Sequence, residues 1–140
     1  MAEDFSYTFK NDLSELDRLG REVDRFGQLL GLNKKCLFEI HLALEEHFTN
    51  VVSHGYQDAH EHTIKVSLAH ANNRIEIKIE DDGIPFNPLE ISAPDVRCGI
   101  EDRKIGGLGI HIAKHCVDKV EYQRKNDRNV LILKKYVGDS

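Results

Sequence analysis

Within the stretch "ALEEHFTNVVSHGY" (43–56), Glu46, Asn50 and His54 recur at intervals of four residues. That interval is close to one helical turn, so a carboxylate and a carboxamide would share a helix face and address one ligand. Glu46 suits taking a proton from a hydroxyl group or holding a water. Asn50 suits offering its neutral oxygen to a hard cation such as Mg²⁺, which prefers oxygen ligands. The competing reading is the solvated side of a core helix, since at about 100° per residue both lie nearly opposite Leu44, Phe48 and Val51. Leu42 and Ala43 flank Glu46 on its polar side, which argues against full exposure there. His54, beside Gly55, reads as a capping or surface residue.

A second stretch, "IEDDGIPF", leaves an apolar alternation with Asp81 at its end and turns at Gly83. Either it is a polar turn in which glycine supplies a positive φ, or Asp81 faces a pocket. There it would accept a hydrogen bond from an exocyclic amine such as that of adenine, and Gly83 would let the ligand approach the backbone. A third stretch, "GGLGIHIA", sets Gly106, Gly107 and Gly109 at a loop-to-helix junction, where backbone N–H groups and the helix dipole favour phosphate. It lacks the Gly-Lys-Ser/Thr of a P-loop and does not follow the strand of a dinucleotide fingerprint. His111 and His115 are four apart, and read as surface residues or as a metal pair with no evident third ligand. His60 and His62 flank a strand start, and no nucleophile elbow or Ser-His-Asp set is present.

The elements that must position these groups are legible from periodicity. "FSYTFKN" alternates Phe5, Tyr7 and Phe9 and predicts a strand; Asn11 or Asp12 then caps a helix carrying Leu13, Leu16, Leu19, Val23, Phe26 and Leu30, with Gly31 near its end. Asn33 caps a second helix to about Gly55, buried through Leu37, Ile40, Leu44, Phe48 and Val51. "HTIKVSLAH" and "RIEIKIEDDG" alternate as two strands around the turn "HANN". Regular patterning stops from Ile84 to Lys104, where Pro85, Pro88 and Pro94 fall, a length that points to a functional loop or lid. A helix opens at the glycines, and "KVEYQRK" and "NVLILKKY" pair through the turn at 126–128. The order predicts one α+β domain over 1–140, a two-layer sandwich whose mixed, mostly antiparallel sheet is covered by helices on one face.

Bulk composition narrows the classes. A length of 140 residues suits one core, and a net charge of −5 with no Lys/Arg stripe argues against nucleic acid as a direct partner. No apolar run approaches membrane-spanning length and no secretory leader opens the chain, so the expected location is cytoplasmic. Cys36, Cys98 and Cys116 are odd in number and widely spaced, which fits neither a disulfide framework nor a zinc knuckle.

In this order and spacing the three motifs resemble the N box ("EEHFTN"), first glycine box ("DDGIPF") and second glycine box ("GGLGI") of the GHKL, or histidine-kinase-like, ATPase superfamily. The resemblance spans nearly the whole chain and implies a Bergerat-type ATP-binding fold. Within the superfamily, "TNVVSHGY" and "GGLGIHIAKHCVDKVEY" are most similar to the stand-alone anti-sigma-factor serine kinases of bacteria. The resemblance implies ATP and Mg²⁺ as cofactors and Glu46 as the general base toward a serine hydroxyl. It implies Asn50 as the Mg²⁺ ligand, Asp81 as the reader of the adenine amine with Gly83 beside the base, and Gly106, Gly107 and Gly109 at the phosphates. The ATP lid would span about 84–106, and Arg103 and Lys104, to which no motif match assigns a role, lie where they could approach the γ-phosphate from it. Implied partners are a STAS-domain anti-anti-sigma protein and a sigma factor bound by a kinase homodimer.

Two departures bear on the site. Pro85 stands where the first glycine box often has a second Gly, and "RNVLILKK" offers no Thr near the adenine-reading Asp, which removes a secondary contact to the base. The expected activity is a protein serine/threonine kinase with anti-sigma function. The rival is a nucleotide-gated module that sequesters a partner without phosphoryl transfer.

Overall fold

The computed structural model describes residues 3–56, 60–90 and 113–137. Chain order runs β1 (Glu3–Lys10), α1 (Leu16–Leu30), α2 (Lys34–His54), β2 (Thr63–Ala71), β3 (Arg74–Asp81), β4 (Lys119–Lys125) and β5 (Arg128–Tyr136). The strands form one sheet in the order β1-β2-β3-β5-β4. All four pairings are antiparallel, so no parallel pair makes the sheet mixed among the described residues.

The period-two pattern decides which face meets the helices. Ile64, Val66 and Leu68 of β2 and Ile75, Ile77 and Ile79 of β3 are buried, and Leu131 and Leu133 of β5 continue the layer. Phe9 of β1 meets Phe48 of α2 edge-on at 5.8 Å, and Phe5 meets Phe26 of α1 at 5.6 Å, a favoured ring geometry. Leu19, Val23 and Phe26 of α1 and Ile40, Leu44 and Phe48 of α2 complete one core between helices and sheet.

Local chemistry sets the boundaries. Both hairpins turn in two residues, Asn72-Asn73 and Asn126-Asp127, each at positive φ (55°, 60° and 53°, 61°). Those twists match the flanking strands and suit Asn and Asp, and the first turn is tighter than the four residues expected. Asn33 caps α2 by accepting from the Cys36 N–H at 2.8 Å, and α1 ends at Gly31 in the left-handed region (φ 66°). The start of α1 differs from expectation. Asp12 caps a single 3₁₀ turn, Leu13–Glu15, before α1 begins at Leu16. The tighter turn rotates Leu13 off the buried stripe, and it is exposed.

Candidate functional site

A cleft opens between the C-terminal half of α2 and the β3/β5 end of the sheet. His47, Asn50 and Val51 line it from α2, Ile79 and Asp81 from β3, Asn129 and Leu131 from β5, with Phe86 and Pro88 over the rim. Asp81 reaches it by alternation: it extends the inward line of Ile75, Ile77 and Ile79, so the pleat turns a carboxylate toward the helix layer. It is 3% exposed. Burial pushes the Asp81 carboxyl up, against the hydrogen bonds from Asn129 and Gly83 that favour its ionised form.

Those two bonds fall on a single oxygen. The Gly83 N–H donates to Asp81 Oδ1 at 2.9 Å, and Asn129 Nδ2 donates to the same atom at 3.0 Å. Oδ2 has no hydrogen-bond partner among the described residues. Asn129 lies directly opposite Asp81 across the β3–β5 pairing and works as a fastener. Its Nδ2 also donates to the Ile84 carbonyl at 2.8 Å, while its Oδ1 accepts from the Phe86 N–H at 3.3 Å and from the Tyr122 hydroxyl at 2.5 Å. This residue was not singled out in the sequence, where its strand was marked only by lacking a Thr. The available signal was an amide two residues before Leu131 and in inward register with Leu131 and Leu133.

The turn after β3 is held from below. The Ile84 N–H donates to the Gly55 carbonyl at 2.7 Å, and Arg124 Nη1 donates to the Gly83 carbonyl at 2.7 Å. A Cβ at Gly83 would stand 2.2 Å from the Gly55 carbonyl oxygen, so the missing side chain makes room for backbone from the end of α2. Positive φ is not its reason: among the described glycines only Gly31 adopts it. His62 stacks on Tyr56 at 4.3 Å and places Nδ1 3.3 Å from Asp82, closing the back of this corner.

Along α2 the chemistry grades from rim to core. Taking about 100° per residue, Asn50 lies roughly 40° from Glu46, and His47 roughly 60° beyond Asn50 toward the core. Glu46 is half-buried, Asn50 is 8% exposed and His54 is exposed. Neither Glu46 nor Asn50 makes a side-chain hydrogen bond among the described residues. His47, 1% exposed, encloses an Nε2 without a partner. Burial first, then the charge of Lys114, push its pKa down to about 4. The pattern 46, 50, 54 had drawn attention to the polar stripe, whereas His47 sits on the apolar one, seven residues after Ile40.

The structure thus brings Asn50 and Asp81 to one cleft, with Gly83 bonded to Asp81 beside it; Glu46, half-buried one helical turn before Asn50, is not among the residues that line the cleft, and His54 is on the surface. Gly106, Gly107, Gly109, Arg103, Lys104 and His111 lie outside the described residues, as does the expected lid beyond Glu90. His115 is exposed, and no group of three or more His, Cys, Asp or Glu among the described residues could hold a metal ion. No described helix is long and apolar enough to cross a membrane.

An antiparallel sheet backed by helices, with a buried carboxylate and an amide-bearing helix lining one cleft, defines a two-layer domain whose cleft lies where the layers meet. The chain belongs to the histidine kinase-like ATPase domain family, whose model matches residues 9–135. It is 27% identical over 96 residues to the serine/threonine-protein kinase BtrW of Bordetella bronchiseptica, covering 69% of this chain and 68% of that protein. It is 27% identical over 100 residues to the anti-sigma F factor of Clostridium perfringens, 71% of each chain. Among solved structures, that of the RsbU and RsbW domains of Rv1364c from Mycobacterium tuberculosis superposes with a TM-score of 0.69 at 15% identity, covering 96% of this chain and 32% of that one.

Proposed function

We propose that this chain binds ATP with Mg²⁺ and transfers the γ-phosphoryl group to a serine or threonine hydroxyl of a STAS-domain anti-anti-sigma protein. The observation that carries the reading is Asp81: one oxygen is fixed by Asn129 and Gly83, and the other is left to accept from a ligand in the same cleft as Asn50, whose side chain makes no hydrogen bond among the described residues. A carboxylate oxygen open to the cleft and without a donor among the described residues suits the exocyclic amine of adenine. Family membership supports ATP, and the names of the relatives support protein-serine transfer and anti-sigma function.

ATP supplies the phosphoryl group, and Mg²⁺ neutralises the charge on its phosphates. Asp81 would hold the base, and Asn50 and Glu46 on α2 would serve the phosphate end. Asn50 would offer its neutral oxygen to Mg²⁺, a cation that takes few protein ligands because it keeps several waters. At the rim, Glu46 takes the proton of the acceptor hydroxyl while that oxygen bonds to the γ-phosphorus and the bond to the ADP oxygen breaks. Gly106, Gly107 and Gly109 would serve the phosphates, and Arg103 and Lys104 would add positive charge beside them. In the cytoplasm, a homodimer of the chain would hold a sigma factor, released when the unphosphorylated STAS protein competes for it.

The test is transfer of labelled γ-phosphate to STAS-domain proteins from the same organism. Glu46→Gln should bind MgATP as the unaltered chain does and lose at least about a hundredfold in transfer rate, the usual scale for a general base. Undiminished transfer would remove Glu46 from the chemistry. Nucleotide binding with no phosphoprotein in either form would leave a nucleotide-gated binding module instead.

A further inference from the structure

Among the described residues two buried polar atoms lack a hydrogen-bond partner, the Tyr56 hydroxyl and His47 Nε2, and of the two residues only His47 lines the cleft. His47 walls the same cleft as Asp81 and Asn50, and its Nε2 is enclosed with no hydrogen-bond partner among the described residues. Its neighbours on α2, Ile40, Ala43, Leu44 and Phe48, are fully buried and apolar. In that company Nε2 forfeits its hydrogen bond to water and gains none in return among the described residues, a loss that an aliphatic side chain would avoid. A group left unsatisfied at the wall of a ligand cleft points to satisfaction by the ligand.

Resting on the ATP reading, we propose that His47 determines base specificity: its Nε2–H donates to the ring nitrogen flanking the amino group that Asp81 accepts from. The two residues then form an acceptor–donor pair. Adenine presents the complement, an amine hydrogen beside a ring nitrogen lone pair. On its N1 edge guanine presents the reverse, a carbonyl oxygen beside a ring N–H, and would meet acceptor with acceptor and donor with donor; on its N7 edge it keeps the ring lone pair, and only its carbonyl would clash, against Asp81. A site that leaves buried partners unpaired rejects such an analogue far more strongly than a shape mismatch alone does. Burial and Lys114 keep the imidazole neutral at pH 7, so it offers one N–H and no full charge beside the base.

The experiment measures binding of MgATP, Mg-1-deaza-ATP, Mg-7-deaza-ATP and MgGTP to the unaltered chain, His47→Leu, His47→Gln and Asp81→Asn. The unaltered chain should bind one deaza analogue roughly tenfold more weakly than ATP. His47→Leu, which suits the apolar surroundings, should weaken ATP by the same factor and bind ATP and that analogue alike. His47→Gln keeps an N–H donor and should retain part of the discrimination. Equal affinity of the unaltered chain for ATP and both analogues, or discrimination that survives in His47→Leu, overturns the proposal. Asp81→Asn separates the two claims. If it weakens ATP while His47→Leu does not, the nucleotide site stands and the role of His47 falls; if the unaltered chain binds no MgATP, both fall.

Discussion

At neutral pH the buried imidazole of His47 carries no charge, and acid should expose what that costs the fold. The unfolded chain would take up a proton on His47 near pH 6.5, whereas the folded chain holds off until about pH 4. Between those values the unfolded state binds more protons, so stability falls as pH falls, by about 3 kcal/mol across the window. Asp81 works in the opposite sense. Burial raises its pKa, so the folded chain takes up its proton more readily, and acid relieves a buried charge. Both effects sit in one cleft, and only a difference between variants separates them. Denaturant unfolding at pH 7.5, 5.5 and 4.5 should show a steep loss in the unaltered chain and a flatter one in His47→Leu. Asp81 is common to both proteins, so its contribution cancels in the comparison. Parallel curves would mean that His47 does not titrate as a buried group.

At the scale of elements, the site depends on how β3, β4 and β5 hold the turn after Asp81. Asn129 is the shared fastener, contacting the Asp81 carboxylate, the Ile84 carbonyl, the Phe86 N–H and the Tyr122 hydroxyl. Asn129→Ala leaves these partners short at once, and should cost about 2–4 kcal/mol, as for breaking a buried hydrogen-bond network. Hydrogen exchange gives a sharper check. The Phe86 amide, bonded to Asn129, should exchange faster, while the Ile84 amide, bonded to the Gly55 carbonyl, should stay protected. Equal acceleration at both would mean that the variant loosens the whole corner. This arrangement also marks the limit of what the sequence could show. Alternation at Ile75, Ile77 and Ile79 was enough to turn Asp81 inward, because the pleat is local. The partner of Asp81 lies 48 residues away and is set by the β3–β5 register, which no local pattern encodes. In the sequence the strand of Asn129 therefore stood out only for an absent Thr. Gly83 is similar: its small size answers to the carbonyl of Gly55, a neighbour that only the tertiary fold supplies.

For the whole molecule, the helix layer and the sheet share one core, and the cleft sits where the two layers part. The core was legible because helix and strand periodicities both mark it, and Asn33, Gly31 and the asparagine turns end the elements sharply. The depth of α2 in the cleft was less so. Glu46, Asn50 and His54 look equivalent at four-residue spacing, yet they run from half-buried to buried to exposed as the helix leaves the sheet. A ligand in this cleft touches both layers, so it can bind only the folded chain and must stabilise it by mass action. At one hundred times its dissociation constant, MgATP should add about 2.7 kcal/mol, or on the order of 10 °C in melting temperature for a domain of this size. Asp81→Asn supplies the control. An asparagine Oδ1 can still accept from Gly83 and Asn129, so the fold should persist, but its Nδ2 cannot accept from an amine. Thermal melts at fixed MgATP should therefore show the full shift in the unaltered chain and little in Asp81→Asn. A shift of equal size in both would place the nucleotide somewhere other than against Asp81.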